Sequence, residues 1–240
     1  MIGGIRFEHT HRVIAGIVGT LTAVMAFLLF RLEKRRWVRN LGLIAFSAVL
    51  LQALLGGLTV IYLLPDWMSI AHACLAQTFF TLVVLLSWVT SKSGKYPEFA
   101  GISSTELRSL RRLTFITGIF IALQLLVGAV VRHAKGAGLT FHVALAFLVA
   151  LHIALLIRKV SFHNFGKSLL THTLFLGLVV LMQIFLGVGA FVFKWILPAT
   201  EMPRVGQVLF TAAHQSNGAI LLAAAVVLSL RSFRMTPQLS

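Results

Sequence analysis

Acidic residues are scarce in this chain, because only 6 of its 240 residues are Asp or Glu, against 21 Lys and Arg. Charged residues of both signs make up 11% of the sequence, whereas hydrophobic residues make up 58%. A soluble domain of this size cannot bury so much apolar surface. The composition therefore excludes an ordinary soluble globular domain.

Cysteine is also nearly absent, since Cys74 is the only one in the sequence. One thiol cannot form an intramolecular disulfide and is a poor metal site by itself. We interpret Cys74, which lies inside an apolar run, as a small packing residue. A cleavable secretory signal is not visible, because the first apolar run is too long and has no small-residue cleavage site.

Long apolar runs without charge occupy most of the sequence. Seven are long enough to cross a bilayer as helices, and they cover residues 13–30, 40–65, 67–91, 113–131, 136–157, 168–193 and 205–230. They contain many Gly and Ala residues, which suit helices that pack against one another in lipid. We therefore expect an all-α integral membrane protein with seven transmembrane helices.

The net charge of +15 at pH 7 is distributed unevenly along the chain. Most Lys and Arg lie in the segments that follow the first, third, fifth and seventh apolar runs. The positive-inside rule then places the N-terminus outside and the C-terminus in the cytoplasm. Nucleic-acid binding is the alternative explanation for basic loops. Because the basic residues are concentrated in every second segment between the apolar runs, the positive-inside rule explains them. We therefore expect a lipid bilayer as partner and no nucleic acid.

Histidine is frequent for a membrane chain, with nine residues. Four of them lie near the predicted outer ends of alternate runs, and these are His11, His72, His142 and His214. One intramembrane histidine is usually an interhelical hydrogen-bonding group. Four histidines at a similar depth in the membrane favour a shared role instead. His152 lies near mid-span, and we expect it to hydrogen-bond to a neighbouring helix.

Repeated spacings indicate an internal duplication. An offset of 131 residues separates three pairs of like residues, namely His11 and His142, Gln52 and Gln183, and Gly56 and Gly187. The pair His72 and His214 is 142 residues apart, which a longer loop before the last run accounts for. We therefore expect two pseudo-repeated helical-bundle halves. Each half supplies a histidine, a Gln-x-x-x-Gly segment and a second histidine.

The paired histidines have the chemistry of haem ligands. Neutral imidazole suits iron, and axial histidines commonly hold haem. A haem with one histidine on each face needs ligands from two helices, which predicts the pairs His11–His72 and His142–His214. The nearby glycines either make room for a flat macrocycle or serve ordinary close helix packing. Zinc is disfavoured, because a tetrahedral site usually includes Cys or carboxylate ligands as well.

A chain of haems across the bilayer is not expected. It requires two histidines about thirteen residues apart on one helix, a spacing that separates them by roughly 20 Å. No apolar run has this spacing, and His142 and His152 are ten residues apart. Both predicted haems therefore lie near the outer face.

The segment FEHTHR at residues 7–12, the alternating histidines and the duplicated half together resemble the heme A synthase family. Members of that family have eight helices in two halves of four. They oxidise a methyl group of haem O to a formyl group, with water as the oxygen source, and so supply the haem A of cytochrome oxidases. The resemblance covers nearly the whole chain.

The resemblance implies a role for each candidate site residue. Glu8 corresponds to the catalytic carboxylate, and His11 and His72 to the axial ligands of the substrate haem. His142 and His214 correspond to the axial ligands of a haem B cofactor, so that all four histidines bind haem iron. The competing interpretation of Glu8 is a surface ion pair with Arg12, which lies four residues further along.

Two arginines at the predicted outer face are candidates for binding haem propionates. Propionates are carboxylates that prefer the membrane interface, where arginine binds them through two hydrogen bonds. Arg12 and Arg132 are the residues that we assign to this role. Contact with lipid phosphate and simple solvation are the alternatives.

The expected organisation has three parts. Residues 1–91 form the N-terminal half, with three helices and the substrate haem, and residues 92–112 form a cytoplasmic linker. Residues 113–240 form the C-terminal half, with four helices and haem B. Compared with the family, the first helix of the first half is expected to be missing. A redox cysteine pair, which some members carry in an outer loop, has no counterpart in this sequence.

The sequence therefore predicts a heme A synthase-like, haem-dependent oxidoreductase in a bacterial-type plasma membrane. The alternative is a non-catalytic bis-histidine membrane haem protein that transfers electrons or delivers haem during oxidase assembly. A structural protein whose histidines only pack is a third reading. Expected partners are haem O, haem A and the bilayer, with haem O synthase, oxidase assembly factors and a second copy of the chain as candidates.

The predicted topology is testable with reporter fusions. A reporter that is active only in the cytoplasm is expected to be active when fused after Ser240, because the basic segment after the last run stays inside. The same reporter fused ahead of Met1 is expected to be inactive. The reverse pattern of activities would contradict the assigned orientation.

Overall fold

The structure is a computed structural model that describes residues 2–63, 65–95, 99–100, 102–163, 165–197 and 205–237. Eight α-helices lie in these ranges, and in chain order they are α1 (Ile2–Leu32), α2 (Arg36–Ile61), α3 (Asp66–Thr90), α4 (Lys92–Lys95), α5 (Ser104–His133), α6 (Leu139–Phe162), α7 (Lys167–Phe191) and α8 (Val205–Arg234). A π-helical turn, Val192–Ile196, extends α7. Two short strands, β1 (Phe99–Ala100) and β2 (Thr236–Pro237), pair in parallel.

All helices except the four-residue α4 are long and apolar enough to cross a membrane, which makes seven among the described residues. Each has apolar side chains around most of its circumference, so that many large apolar residues stay exposed on the protein surface. Such surfaces are stable in lipid and not in water. The expected all-α membrane fold with seven transmembrane helices is confirmed. Orientation and internal duplication stay predictions.

Two predicted helix boundaries were wrong, and the backbone conformation at each boundary explains why. The run 40–65 predicted a helix end four residues beyond that of α2, which ends at Ile61, with Leu63 just beyond it in the left-handed region at φ 57°. The run 136–157 predicted a helix start three residues before that of α6. Gly136 and Gly138 have φ of 91° and 79°, which an α-helix does not allow, so α6 begins at Leu139.

The end of the predicted linker 92–112 is helical. Helix α5 begins at Ser104, and the hydroxyl of Ser103 accepts a hydrogen bond from the backbone N–H of Glu106 at 3.3 Å. This is a helix N-cap, which satisfies one of the free amides of the first turn. Leu107 and Leu110 are then 1% and 0% exposed. Residues 104–112 are therefore part of a packed helix.

The chain divides into two compact units, Met1–Thr90 and Ser91–Ser240. In the first unit, α2 packs against both α1 and α3. The turn between α1 and α2 carries an ion pair in which Arg35 donates to both carboxylate oxygens of Glu33, at 3.0 and 2.8 Å. The hydrogen bond to Glu33 raises the pKa of Arg35, so this guanidinium stays charged.

The second unit contains a closed bundle of four helices. Helix α5 packs against α6 and α8, and α7 also packs against α6 and α8. The most deeply buried side chains lie where α5 and α7 begin and where α6 and α8 end; they include Leu107, Leu110, Ile153, Leu156, Leu169, Leu176 and Leu228. The apolar core is therefore concentrated at one end of the bundle.

Basic side chains fix the C-terminal end of α8 at this packed end. Arg111 donates to the backbone carbonyls of Ser232 at 3.1 Å and Met235 at 2.7 Å. Arg231 donates to the hydroxyl of Ser168 at 2.8 Å. The last carbonyls of a helix have no partner within it and carry partial negative charge, so the Arg111 guanidinium stabilises the helix end.

Two histidines at this end make ordinary structural contacts. The Nδ1 atom of His172 accepts from Arg231 at 3.2 Å, and its Nε2 atom donates to the carbonyl of Ala224 at 3.1 Å. His163 and Glu106 form an ion pair or hydrogen bond at 2.7 Å. Both rings therefore tie helices together at the end of the bundle that holds the core.

Shortening a core side chain tests this packing. Leu110→Ala is expected to lower the free energy of unfolding by about 2–5 kcal/mol, because a fully buried leucine leaves a cavity. Leu181→Ala is the matched control, since Leu181 is 66% exposed on α7. Loss of helicity on titration with a denaturing detergent measures both. Equal midpoint shifts for the two variants would contradict the assigned core.

Candidate bis-histidine site

The imidazoles of His142 and His214 face each other in the second unit. His142 lies in the first turn of α6, and His214 lies in the N-terminal half of α8. Their ring centres are 6.3 Å apart and their planes make an angle of 75°. Both rings are half-buried, at the end of the bundle opposite the apolar core. The structure therefore brings together the two histidines that the sequence predicted as one pair.

This spacing fits two imidazoles that share one metal ion. Bonds from imidazole nitrogen to a transition metal are about 2.0–2.1 Å long, and the ring centre lies roughly 1.2 Å behind the nitrogen, so two axial rings have centres roughly 6.5 Å apart. The observed 6.3 Å is close to this value. The distance between the two ring centres is thus compatible with two histidines that share one metal ion.

A glutamine from the preceding helix holds His214. The side-chain amide nitrogen of Gln183 on α7 donates to the backbone carbonyl of His214 at 3.0 Å, and it lies 3.4 Å from Nε2 of the ring. A Cβ added to Gly187, one turn after Gln183, would be 2.9 Å from Cε1 of the same ring. The glycine therefore provides the space in which the imidazole lies.

The same arrangement positions His142. The amide nitrogen of Gln124 on α5 is 3.0 Å from the carbonyl of His142 and 3.3 Å from its Nε2 atom. A Cβ on Gly128 would be 3.0 Å from Cε1 of the ring. In the first unit, Gln52, Gly56 and His72 repeat this geometry, with distances of 3.1, 3.2 and 3.1 Å in the same order of contacts.

We call each of these groups a Gln–Gly–His module. The structure describes three: Gln52, Gly56 and His72; Gln124, Gly128 and His142; Gln183, Gly187 and His214. The sequence showed the Gln-x-x-x-Gly spacing but not that each glutamine binds a histidine of the next helix. For the glycines it left two interpretations open. The nearest atoms to an added Cβ at these positions belong to the imidazoles, so the glycines make room for the histidine side chains.

The third module has more hydrogen bonds than the other two. Nδ1 of His214 donates to the backbone carbonyl of Gln183 at 3.1 Å, and Asn217 donates to the side-chain oxygen of Gln183 at 2.7 Å. In the other two modules the corresponding atoms are buried without a hydrogen-bond partner; these are Nδ1 of His72 and His142 and Oε1 of Gln52 and Gln124. Asn217 could not be predicted from the sequence, because its spacing does not repeat.

In the first unit, Glu8 and His11 lie one helical turn apart on α1 and are both exposed. His11 lies close enough to His72 for the two rings to interact electrostatically. Arg12 donates to the carboxylate of Glu8 at 2.5 Å, and the two side chains are 65% and 48% exposed. The candidate catalytic residue and one candidate propionate ligand therefore form an ion pair. Their functional roles, and that of His11, stay predictions.

Arg132 lies beside the third module. It donates to the side-chain oxygen of Gln215, the residue after His214, at 2.5 Å, and its backbone carbonyl accepts from Lys194 at 3.4 Å. Two cations are thus placed near one histidine, and Lys194 was not among the predicted site residues.

We predicted that His152 hydrogen-bonds to a neighbouring helix. For its Nδ1 atom this prediction was wrong. That atom is buried without a hydrogen-bond partner, and the ring instead packs edge-on against Phe120 of α5, with ring centres 4.7 Å apart. An edge-to-face ring contact of this kind is a favourable packing interaction. His152 therefore contacts α5 through its apolar surface.

Seven helices able to span a membrane, with histidines held by side-chain amides of the preceding helix, define a multi-pass membrane protein with a candidate bis-histidine site. Within that class, the chain belongs to the COX15-CtaA family of cytochrome oxidase assembly proteins, whose pattern matches residues 5–141, more than half of the chain. The resemblance to heme A synthases is thereby confirmed at the level of the family. The match includes Glu8, His11 and His72 and ends one residue before His142.

A heme A synthase from Shouchella clausii (strain KSM-K16) is similar to this chain. The two are 29% identical over 128 residues, which is 52% of this chain and 42% of the relative. The similar region thus spans less than half of the relative's length. No solved structure shows a significant match.

Adding one methyl group tests the modules without any ligand. Gly187→Ala is expected to lower the free energy of unfolding by about 1–3 kcal/mol, because the new Cβ forces the His214 ring to move. Gly118→Ala on α5 is the matched control, since a Cβ there meets nothing within 4 Å. The control is expected to be neutral or stabilising, as alanine favours helix. Equal effects in a detergent unfolding titration would argue against close contact between glycine and histidine.

Proposed function

We propose that this protein is a heme A synthase-like membrane oxidoreductase that converts haem O to haem A for cytochrome oxidase biogenesis. The observation that carries the proposal is the facing pair His142–His214, whose 6.3 Å spacing suits a bis-histidine haem, in a chain of this family. The reaction turns a porphyrin methyl group into a formyl group. One water molecule supplies the oxygen, and four electrons and four protons leave for each product.

His142 and His214 are the residues that would hold a haem B cofactor. Such a haem, when bound, supplies one-electron redox chemistry between the substrate and an external acceptor. The protein orients the ligands. Nδ1 of His214 donates to the backbone carbonyl of Gln183 at 3.1 Å, and the amide of Gln183 lies 3.4 Å from Nε2, so both ring nitrogens are oriented by this one residue. Gln124 and Gln183 hold the two histidines through their backbone carbonyls.

His11 and His72 are the proposed axial ligands of the substrate haem. Glu8, one turn from His11, is the proposed acceptor for protons that leave the attacking water. Its carboxylate accepts a hydrogen bond from Arg12 at 2.5 Å. Because both side chains are largely exposed, this pair is weak and the carboxylate can exchange partners.

Arg12 and Arg132 are the proposed partners of haem propionates. Each lies next to a module or to a candidate ligand, and a guanidinium can bind a carboxylate through two parallel hydrogen bonds. Arg132 is held by Gln215, directly after His214, so its position is linked to that of the ligand. Lys194 adds a second positive charge at this place.

We place the histidines at the extracytoplasmic side of a bacterial-type plasma membrane, since the basic segments favour the opposite side. Substrate and product are membrane-soluble haems, so the bilayer is both solvent and route. Haem O synthase and oxidase assembly factors are the proposed protein partners, and a homo-oligomer is a further candidate.

The second candidate function is a non-catalytic bis-histidine haem protein that transfers electrons or delivers haem. The observation that favours it is the ion pair of Glu8 with Arg12, which occupies the proposed catalytic carboxylate. Co-expression with a haem O synthase separates the two functions. Haem A or its alcohol intermediate in the extracted pigments supports the enzyme, whereas haem B alone supports the carrier. Purified protein without a low-spin haem spectrum would exclude both.

Replacing the candidate base tests the assigned roles. Glu8→Gln is expected to lower haem A formation by about 10²–10⁴-fold, the usual contribution of a positioned acid or base. The reduced-minus-oxidised spectrum of the His142–His214 haem is expected to stay unchanged, because Glu8 belongs to the other pair. His214→Ala is the converse control and should abolish that spectrum. Loss of the cofactor spectrum in Glu8→Gln would contradict the division of roles.

A further inference from the structure

One contact fixes how the ends of α5 and α6 lie beside each other. Glu106, in the first turn of α5, and His163, directly after α6, are 2.7 Å apart. The two helices pack against each other, and α6 ends where α5 begins. They therefore run in opposite directions, and residues equally far from this contact in the two helices lie at about the same depth.

Three cationic side chains lie at a similar depth below this contact. Arg112 is six residues after Glu106, whereas Arg158 and Lys159 are five and four residues before His163. At about 1.5 Å of rise per residue, the three lie roughly 9, 7.5 and 6 Å from the contact along the helices. Positive charges from two neighbouring helices are therefore within roughly 3 Å of one another in depth.

The helical spacing turns these side chains toward one groove on the outer surface of the bundle. Lys159 is one turn before His163, so it lies on the side of α6 that meets α5. Ser109 is one turn after Glu106, and Arg112 is one turn after Ser109, so they lead from the contact to the outer face of α5. Ser109 and Arg112 are exposed, and Lys159 is half-buried. We call the surface formed by these residues the α5–α6 groove, and it consists of Ser109, Arg112, Arg158 and Lys159.

The three cations of the groove form no hydrogen bond or ion pair with the part of the chain that the structure describes. Two other arginines at the same end have structural contacts, because Arg111 donates to the carbonyl of Ser232 and Arg231 donates to the hydroxyl of Ser168. The nearest acid, Glu106, already has a histidine partner. The groove thus has an unbalanced positive charge, which attracts an anion.

Large apolar side chains continue the groove toward the middle of the two helices. Ile119 is seven residues after Arg112, and Leu151 and Leu155 are seven and three residues before Arg158, which are spacings that keep one helix face. These three side chains are 43%, 55% and 38% exposed. A ligand that fits has an anionic group at the helix ends and apolar chains along the helices. A phospholipid has this chemistry.

We propose that the α5–α6 groove binds one anionic phospholipid, with its phosphate between Arg112 and Lys159 and its acyl chains along Ile119 and Leu151. The hydroxyl of Ser109 adds a neutral hydrogen-bond donor. Basic helix ends attract acidic lipids in general, but such attraction does not require cations of two helices to converge on one place. The proposal is independent of haem, because the groove lies at the end of the bundle opposite His142 and His214.

Native mass spectrometry of the full-length protein in detergent tests the proposal, with phosphatidylglycerol as the probe and phosphatidylcholine as the zwitterionic reference. Wild-type protein is expected to retain one phosphatidylglycerol about tenfold more tightly than phosphatidylcholine. The double variant Arg112→Gln, Lys159→Gln is expected to lose this preference. The charge-matched control is Arg36→Gln, Lys167→Gln, which removes two exposed cations outside the groove and is expected to match wild type.

Three outcomes of this experiment would overturn the proposal. Equal losses in the two double variants would show that total charge, and not the groove, holds the lipid. Displacement of the lipid by millimolar inorganic phosphate would identify an anion site that does not recognise acyl chains. A change in dimer content, with lipid retention unaltered, would assign the groove to a second copy of the chain.

Blocking the groove gives a test that keeps every charge. Ser109→Trp is expected to lower phosphatidylglycerol retention by about tenfold, because the indole occupies the space between the cations of the two helices. Thr171→Trp, at an exposed position of α7, is the control and is expected to retain the lipid. If the double variant of the groove does not fold, Ser109→Trp decides. Wild-type retention in Ser109→Trp would contradict binding in the groove.

Discussion

A glutamine that reaches across to the histidine of the next helix is the contact on which the candidate sites depend. In lipid, a polar group without a partner costs several kcal/mol, so a glutamine and a histidine in adjacent helices stabilise each other. In each module the contact joins two helices and also directs one imidazole. The rings of His142 and His214 face each other, and Gln124 and Gln183 hold the two histidines through their backbone carbonyls.

The second unit places its apolar core and its candidate site at opposite ends of the bundle. At one end, leucines such as Leu110 and Leu156 are fully buried, and Arg111 fastens the end of α8. At the other end the histidine rings are half-buried, with small residues beside them. A well-packed end can hold the helices in place while the histidine side chains at the other end stay partly accessible.

Much of the fold was readable from the sequence, and the site only in part. Seven helices followed from run length and composition. The repeated spacing grouped the correct glutamines, glycines and histidines, but it did not show that Gln52 binds His72 or that Gly56 contacts that ring. The ring contact of His152, the early start of α5 and the role of Asn217 were missed. Each depends on a neighbouring helix that local sequence does not specify.

The sequence by itself determined how many helices cross the membrane and which residues share a depth, because the fixed rise of a helix converts spacing into height. Only the tertiary structure decided which side of each helix meets which neighbour. These helices are apolar all round, so no amphipathic pattern marks the inward face. Rotation about each helix axis is set by packing and by paired polar groups, and it decides that Gln183, rather than a residue at similar depth, lies against His214.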